Sequence, residues 1–188
     1  FDTILFPVKQ GSTNDVSATR LDIGTAPSVA SAFSMDLTIN NQQFQSIVYT
    51  SHESTPAYRK ISSKYGFDGR QAYIEHKADG SLSAINLSQG SVLDENGTNV
   101  VSFGDGAAIE NLSVLYETGR VFLYSEDLTP EKLASLSLKV NDTITEVQVN
   151  DQPVGFYQVG DQIVFNQNYD KIDVSADGSN QVGTLPDE

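Results

Sequence analysis

Cysteine is absent from this 188-residue chain, which excludes disulfides, thiol catalysis and thiolate metal sites together. Histidine is nearly absent, with only His52 and His76, a poor complement for a zinc site. No apolar run approaches the ~20 residues that span a bilayer, so no membrane partner is expected. Cations are scarce as well: 11 Lys and Arg stand against 25 Asp and Glu, a formal charge of −14. A field of that sign repels phosphate and disfavours nucleic acid as a partner. The chain opens on Phe1 without a charged-then-apolar leader and reads as a mature or excised module.

What is present is mostly β-strand. Apolar segments alternate with polar residues at period two and are punctuated by turn residues. Thr3–Val8, Val16–Ile23, Ala30–Ile39 and Phe44–Tyr49 read as strands, the last two joined by an Asn40-Asn41 turn. Gln71–Lys77 and Leu82–Leu87 form a hairpin about Ala78-Asp79-Gly80, with Gly80 suited to a left-handed position. Ser91–Leu93 and Val100–Phe103 flank Asp94-Glu95-Asn96-Gly97. Leu112–Tyr116 and Val121–Tyr124 flank Glu117-Thr118-Gly119. Thr129-Pro130 opens the only helical stretch, near 129–134, with Thr as cap and Pro at the first helical position. Strands resume at Leu136–Val140, Ile144–Val149, Gly155–Val159, Ile163–Phe165 and near Lys171–Ser175. About a dozen short strands without a βαβ rhythm predict an all-β, antiparallel, jelly-roll-like sandwich. One module is expected over 1–175, followed by a frayed tail over 176–188.

The charge is unevenly placed. Tyr49 to Lys77 carries five of the eleven cations (Arg59, Lys60, Lys64, Arg70, Lys77) and only Glu53, Asp68 and Glu75 as acids. Five aromatic residues (Tyr49, Tyr58, Tyr65, Phe67, Tyr73) and both histidines are interleaved with them. Rings stack on the C–H faces of sugars, and Arg or Lys pairs with carboxylate or sulfate, so the segment could hold an anion with flat faces. The plain alternative is a solvated loop whose lysines offset nearby acids.

Other chemistries find little support. Neither histidine sits near a G-x-S-x-G elbow, and His76 shares a strand face with Ala72 and Ile74, which suits packing better than catalysis. Tyr58/Arg59 or Tyr65/Arg70 could imitate a β-elimination site. With so many acids present, a glycosidase pair can be proposed anywhere and decides nothing. Asp94-Glu95-Asn96-Gly97 could cradle Ca²⁺ through oxygens, but it lacks the EF-hand spacing and reads as an ordinary turn. No cofactor is expected. Asn86, Asn96, Asn111 and Asn141 each begin an N-x-[ST] triplet, which reads as chance for the two in or beside strands.

FDTILFPVKQG, YGFDGRQAYIEHKADGSLSAINLSQGSVLDENG and LSLKVNDTITEVQVNDQPVGFYQVGDQIVF resemble the C-terminal β-sandwich regions of heparinase II/III-like polysaccharide lyases. The resemblance implies association with uronate-containing polysaccharide such as chondroitin sulfate, hyaluronan, heparan sulfate or alginate. It also implies a secreted or periplasmic bacterial setting and a parent lyase domain in the same chain. The helical toroid that carries catalysis in those enzymes has no counterpart here, so no catalytic residue carries over. The expectation is a non-catalytic carbohydrate-binding module, with Arg59, Lys60, Lys64 and Arg70 meeting anionic groups. Tyr58, Tyr65 and Tyr49 would serve as stacking platforms, with His52 beside them. A purely structural sandwich that packs on its parent enzyme is the rival.

Overall fold

The computed structural model describes residues 14–104 and 106–165; the expected strands over 3–8 and near 171–175, and the tail, lie outside them. Two sheets face each other. Strands β1 (Asp15–Arg20), β2 (Ala30–Ile39), β3 (Gln42–Ser51), β6 (Gln71–Lys77), β7 (Leu82–Gly90), β10 (Ile109–Glu117), β11 (Arg120–Tyr124), β13 (Glu146–Val149) and β14 (Gln152–Pro153) form sheet A in that spatial order. Sheet B runs β15 (Tyr157–Val159), β16 (Gln162–Val164), β12 (Leu136–Lys139), β9 (Thr98–Phe103), β8 (Val92–Glu95), β5 (Tyr65–Phe67), β4 (Arg59–Lys60). Inward side chains from both sheets, among them Ile74, Ile85, Leu112 and Val114 from sheet A and Phe67, Leu93, Val101 and Leu138 from sheet B, merge into one core.

The all-β sandwich is as the alternation predicts, but its winding differs from a jelly roll. Consecutive hairpins alternate between the sheets, β2/β3 to β4/β5 to β6/β7 to β8/β9 to β10/β11, instead of folding as Greek keys. One pair, β11 with β13, is parallel. The chain leaves sheet A after β11, passes through helix α1 (Pro130–Ser135) and β12 of sheet B, and returns. That detour supplies the crossover a parallel pair requires. Thr129 caps α1 by accepting from the Lys132 N–H at 3.3 Å, Pro130 opens it, and Leu133 anchors it in the core.

Tight turns set the register. Asn40-Asn41, Asn96-Gly97 and Asn150-Asp151 hold positive φ at both central positions (51° and 63°, 53° and 81°, 48° and 63°). Two-residue hairpin turns of this twist demand it, and Asn, Asp and Gly tolerate it. Gly80 takes φ 84° as expected.

Candidate functional site

The cation-rich segment is not one loop. It leaves sheet A at Ser51, crosses to sheet B and forms two very short strands, β4 and β5, before returning as β6. Four of its five cations are thereby divided between two places, while Lys77 ends β6 opposite Phe44.

The first is the 51–57 loop. Arg59 grips Glu53 with two hydrogen bonds, Nε to Oε2 at 3.2 Å and Nη2 to Oε1 at 2.8 Å. The guanidinium bonds hold Glu53 below the usual carboxylate range, helped by Ser51. Arg70 reaches the same loop, its Nη2 donating to the Ser54 carbonyl at 3.4 Å while its Nε donates to Gln89 Oε1 at 2.6 Å. His52 is exposed there, and its backbone N–H donates to Val29 O at 2.8 Å. Both arginines thus brace a loop.

The second place is the outer face of sheet B around the Asn96-Gly97 turn. Lys60, Gly66 and Asp94 are register partners across β4, β5 and β8. The hydroxyl end of Tyr58 lies against Gly66: a Cβ there would collide with Tyr58 Oη and stand 2.6 Å from Asp94 Oδ2, so Tyr58 would have to move away. Tyr58 Oη donates to Asp94 Oδ2, Lys60 Nζ reaches Asp94 Oδ1 at 3.4 Å, and the Gly97 N–H donates to the same oxygen at 2.9 Å. Burial pushes the Asp94 carboxyl up, but the bonds from Tyr58, Gly97 and Lys60 outweigh it and hold the group below its ordinary value. Tyr58 nonetheless remains 51 % exposed. The Lys60 and Lys64 side chains are 55 % and 44 % exposed.

Beside this, Glu95 accepts from Lys64 and, at 2.6 Å, from Lys139 of β12. Burial raises the Glu95 carboxyl, and the two ammonium groups more than reverse the effect. Three ammonium groups (Lys60, Lys64, Lys139) therefore meet two carboxylates around this turn, leaving one net positive charge. The pairing also occupies the oxygens that a Ca²⁺ in the Asp94–Gly97 turn would need. Among the described residues no group of three or more His, Asp or Glu is placed to hold a metal.

Two expected stacking platforms are elsewhere. Tyr49 and Tyr65 are each 1 % exposed, because each points inward from its strand. Tyr49 packs edge-on against Phe67 with ring centroids 6.2 Å apart. Tyr65 Oη lies 2.6 Å from His76 Nε2 and 3.4 Å from Glu95 Oε1, bridging β5 of sheet B to β6 of sheet A. Neither ring can meet a sugar. Burial, with Glu95 nearby, pushes the Tyr65 phenol up, and the Tyr65–His76 contact joins the two sheets. The roles of Asp94, Glu95 and Lys139 were not visible in the 49–77 composition, since they come from β8 and β12.

His76 adds a pH dependence. Burial lowers its pKa, and Lys64 lowers it further, so the folded protein holds the ring neutral with Nε2 facing the Tyr65 hydroxyl. The unfolded chain then binds this proton more readily. Stability should fall as pH drops from about 6.5, the unperturbed histidine value, through the lower folded one. Thermal melts at pH 7.5 and 5.5 check this. His76→Gln should flatten the difference, and an unchanged pH response in that variant would assign it to other groups.

Comparison with protein-family models and with curated proteins gives no match. The likeness to lyase sandwiches therefore rests on the quoted stretches alone.

Proposed function

We propose that this sandwich is a non-catalytic carbohydrate-binding module. Its ligand is an acidic, uronate-containing polysaccharide, a glycosaminoglycan of the chondroitin sulfate or hyaluronan kind, and it targets an attached lyase domain outside the cell or in the periplasm. The observation that carries the reading is Tyr58: a half-exposed ring held by its hydroxyl against Asp94 and Gly66, with the exposed Lys60 and Lys64 paired to the neighbouring Asp94 and Glu95. The ring suits the C–H face of a sugar, and the ammonium groups suit carboxylate or sulfate. Each such contact contributes ~1–3 kcal/mol at most, so binding is weak per site and gains from repeated engagement along a polymer.

The site differs from the one expected from sequence. Tyr58, Lys60 and Lys64 form it, with Lys139 behind them. Arg59 and Arg70 brace the neighbouring loop, and Tyr49 and Tyr65 belong to the core. The structural rival has its own supporting observation, since Lys60, Lys64 and Lys139 all already touch carboxylates.

The double variant Lys60→Ala/Lys64→Ala separates the two. The binding reading expects about a tenfold loss of affinity for chondroitin sulfate and a shallower dependence on salt, with the melting temperature little changed. Equal affinity in a folded double variant would remove this site.

A further inference from the structure

Two of the N-x-S triplets have a structural consequence unrelated to modification. Asn86-Leu87-Ser88 of β7 and Asn111-Leu112-Ser113 of β10 run antiparallel in register: Asn86 opposite Ser113, Leu87 opposite Leu112, Ser88 opposite Asn111. Both leucines point into the core. The strand period then sends both asparagines and both serines to the outer face of sheet A, as a square of alternating amides and hydroxyls. Within it Ser113 Oγ donates to Asn86 Oδ1 at 2.6 Å.

Neighbouring strands extend the square in the same two rows. Ser88 is also opposite Gln71, which is opposite Thr50; Asn86 is opposite Tyr73, which is opposite Val48. These residues line an open trough of about 430 Å³, within the size range of small-ligand sites. Thr50, Gln71, Ser88 and Asn111 commit no side chain to a hydrogen bond with another described residue. Tyr73 turns its hydroxyl to Glu75 Oε2 at 2.5 Å, leaving its ring as a wall of the trough. No Lys, Arg, Asp or Glu lines the trough. At its end Arg70 and Glu110 are bridged through Gln89, so that end carries no net charge. Glu75, beyond Tyr73 on the same strand face, is acidic.

We propose that this trough is a second binding site, for an uncharged, hydroxyl-rich saccharide chain. A carboxamide presents a donor and an acceptor side by side, which matches the paired hydroxyls of a sugar, and serine and threonine hydroxyls adapt to either role. Tyr73 adds an apolar flank for a ring face. Without a cation, and with Glu75 close by, the trough does not suit the uronate or sulfate groups assigned to the Tyr58 face. The two sites are on opposite sheets and fail independently.

The test is a titration of ¹⁵N-labelled protein with neutral hexaoses of β-1,4-glucose, β-1,4-xylose, β-1,4-mannose and α-1,4-glucose. The Asn86, Asn111 and Gln71 side-chain amide signals are followed at low and high salt. At least one hexaose should shift these signals saturably and equally at both salt levels. Asn86→Ala/Asn111→Ala should weaken that binding at least tenfold while Lys60→Ala/Lys64→Ala leaves it unchanged; both asparagines are exposed, and Asn→Ser at both positions serves if the alanine pair loses the fold. No saturable shift with any hexaose, shifts confined to other surfaces, or unchanged affinity in the folded asparagine variant would overturn the proposal. Silence would leave the face to a protein neighbour.

Discussion

Replacing Gly69 by alanine is expected to lower the melting temperature by roughly 10 °C, corresponding to about 3 kcal/mol in a domain of this size. Gly69 lies within the basic segment, between β5 and β6, against the end of β7. A Cβ at this position would collide with Phe67 Cζ and stand 2.7 Å from the Gly90 Cα. The Phe67 ring cannot swing away, since it is fully buried and held edge-on by Tyr49. The Gly90 backbone is fixed as the last residue of β7. The core therefore has to open by a tenth of a nanometre or so, which close-packed interiors resist. Thermal denaturation measures the loss. Because the ring accounts for part of the clash, Phe67→Leu should make the added alanine less costly than in the parent, a non-additive pair. A Gly69→Ala protein that melts with the parent would show that these two backbones are not in contact.

Asp94→Ala is the second large effect, with an expected loss of about 2 kcal/mol at neutral pH. Asp94 is 4 % exposed and accepts from the Tyr58 hydroxyl, the Gly97 N–H and Lys60. Removing it frees the Tyr58 hydroxyl from its seat against Gly66 and leaves the Asn96-Gly97 turn without its side-chain brace. Its carboxyl is held below the ordinary value in the folded state. The contribution is therefore complete above the unfolded aspartate pKa of about 3.9 and disappears as pH falls through the folded one. Melting temperatures of the parent and Asp94→Ala should differ most near neutrality and converge in acid. The variant should also bind acidic polysaccharide more weakly, with Lys60 and Lys64 intact. A constant gap down to the most acid melt would contradict the ionic account of this carboxylate.

Much of the fold was legible because the chain marks its turns chemically. Asn40-Asn41, Asn96-Gly97 and Asn150-Asp151 announce positive φ, and the spans Ala30–Ile39 and Gln71–Lys77 coincide with β2 and β6. Strands β4, β5 and β14, of two or three residues, are too short for an alternation to register. The parallel partnership of β11 and β13 was also hidden. It depends on the path through α1 and β12, which no local pattern encodes.

The site was less legible than the fold. Tyr58 and Tyr65 look alike in a composition, yet one is half-exposed with its hydroxyl against a glycine and the other crosses the core to His76. A signal was present: Tyr65 and Phe67 flank Gly66 at strand spacing, and two rings on one strand face more often mark a buried side than a platform. The pairing of Lys60, Lys64 and Lys139 with Asp94 and Glu95 could not be foreseen, because it joins residues about thirty to forty-five apart in sequence. The Asn-Leu-Ser triplets were visible as N-x-[ST] triplets and read as chance, and only the β7–β10 register turns them into a surface.

The measurement that tests the central claim most directly is calorimetric titration of the unmodified protein with chondroitin sulfate, hyaluronan, heparin, alginate and a neutral glucan, each at low and high salt. A module that engages uronate polymers through Lys60 and Lys64 binds at least one of them at low salt and loses affinity as screening increases. No heat with any acidic polymer at low salt, or binding that is indifferent to salt, would contradict it and leave the sandwich as a structural domain.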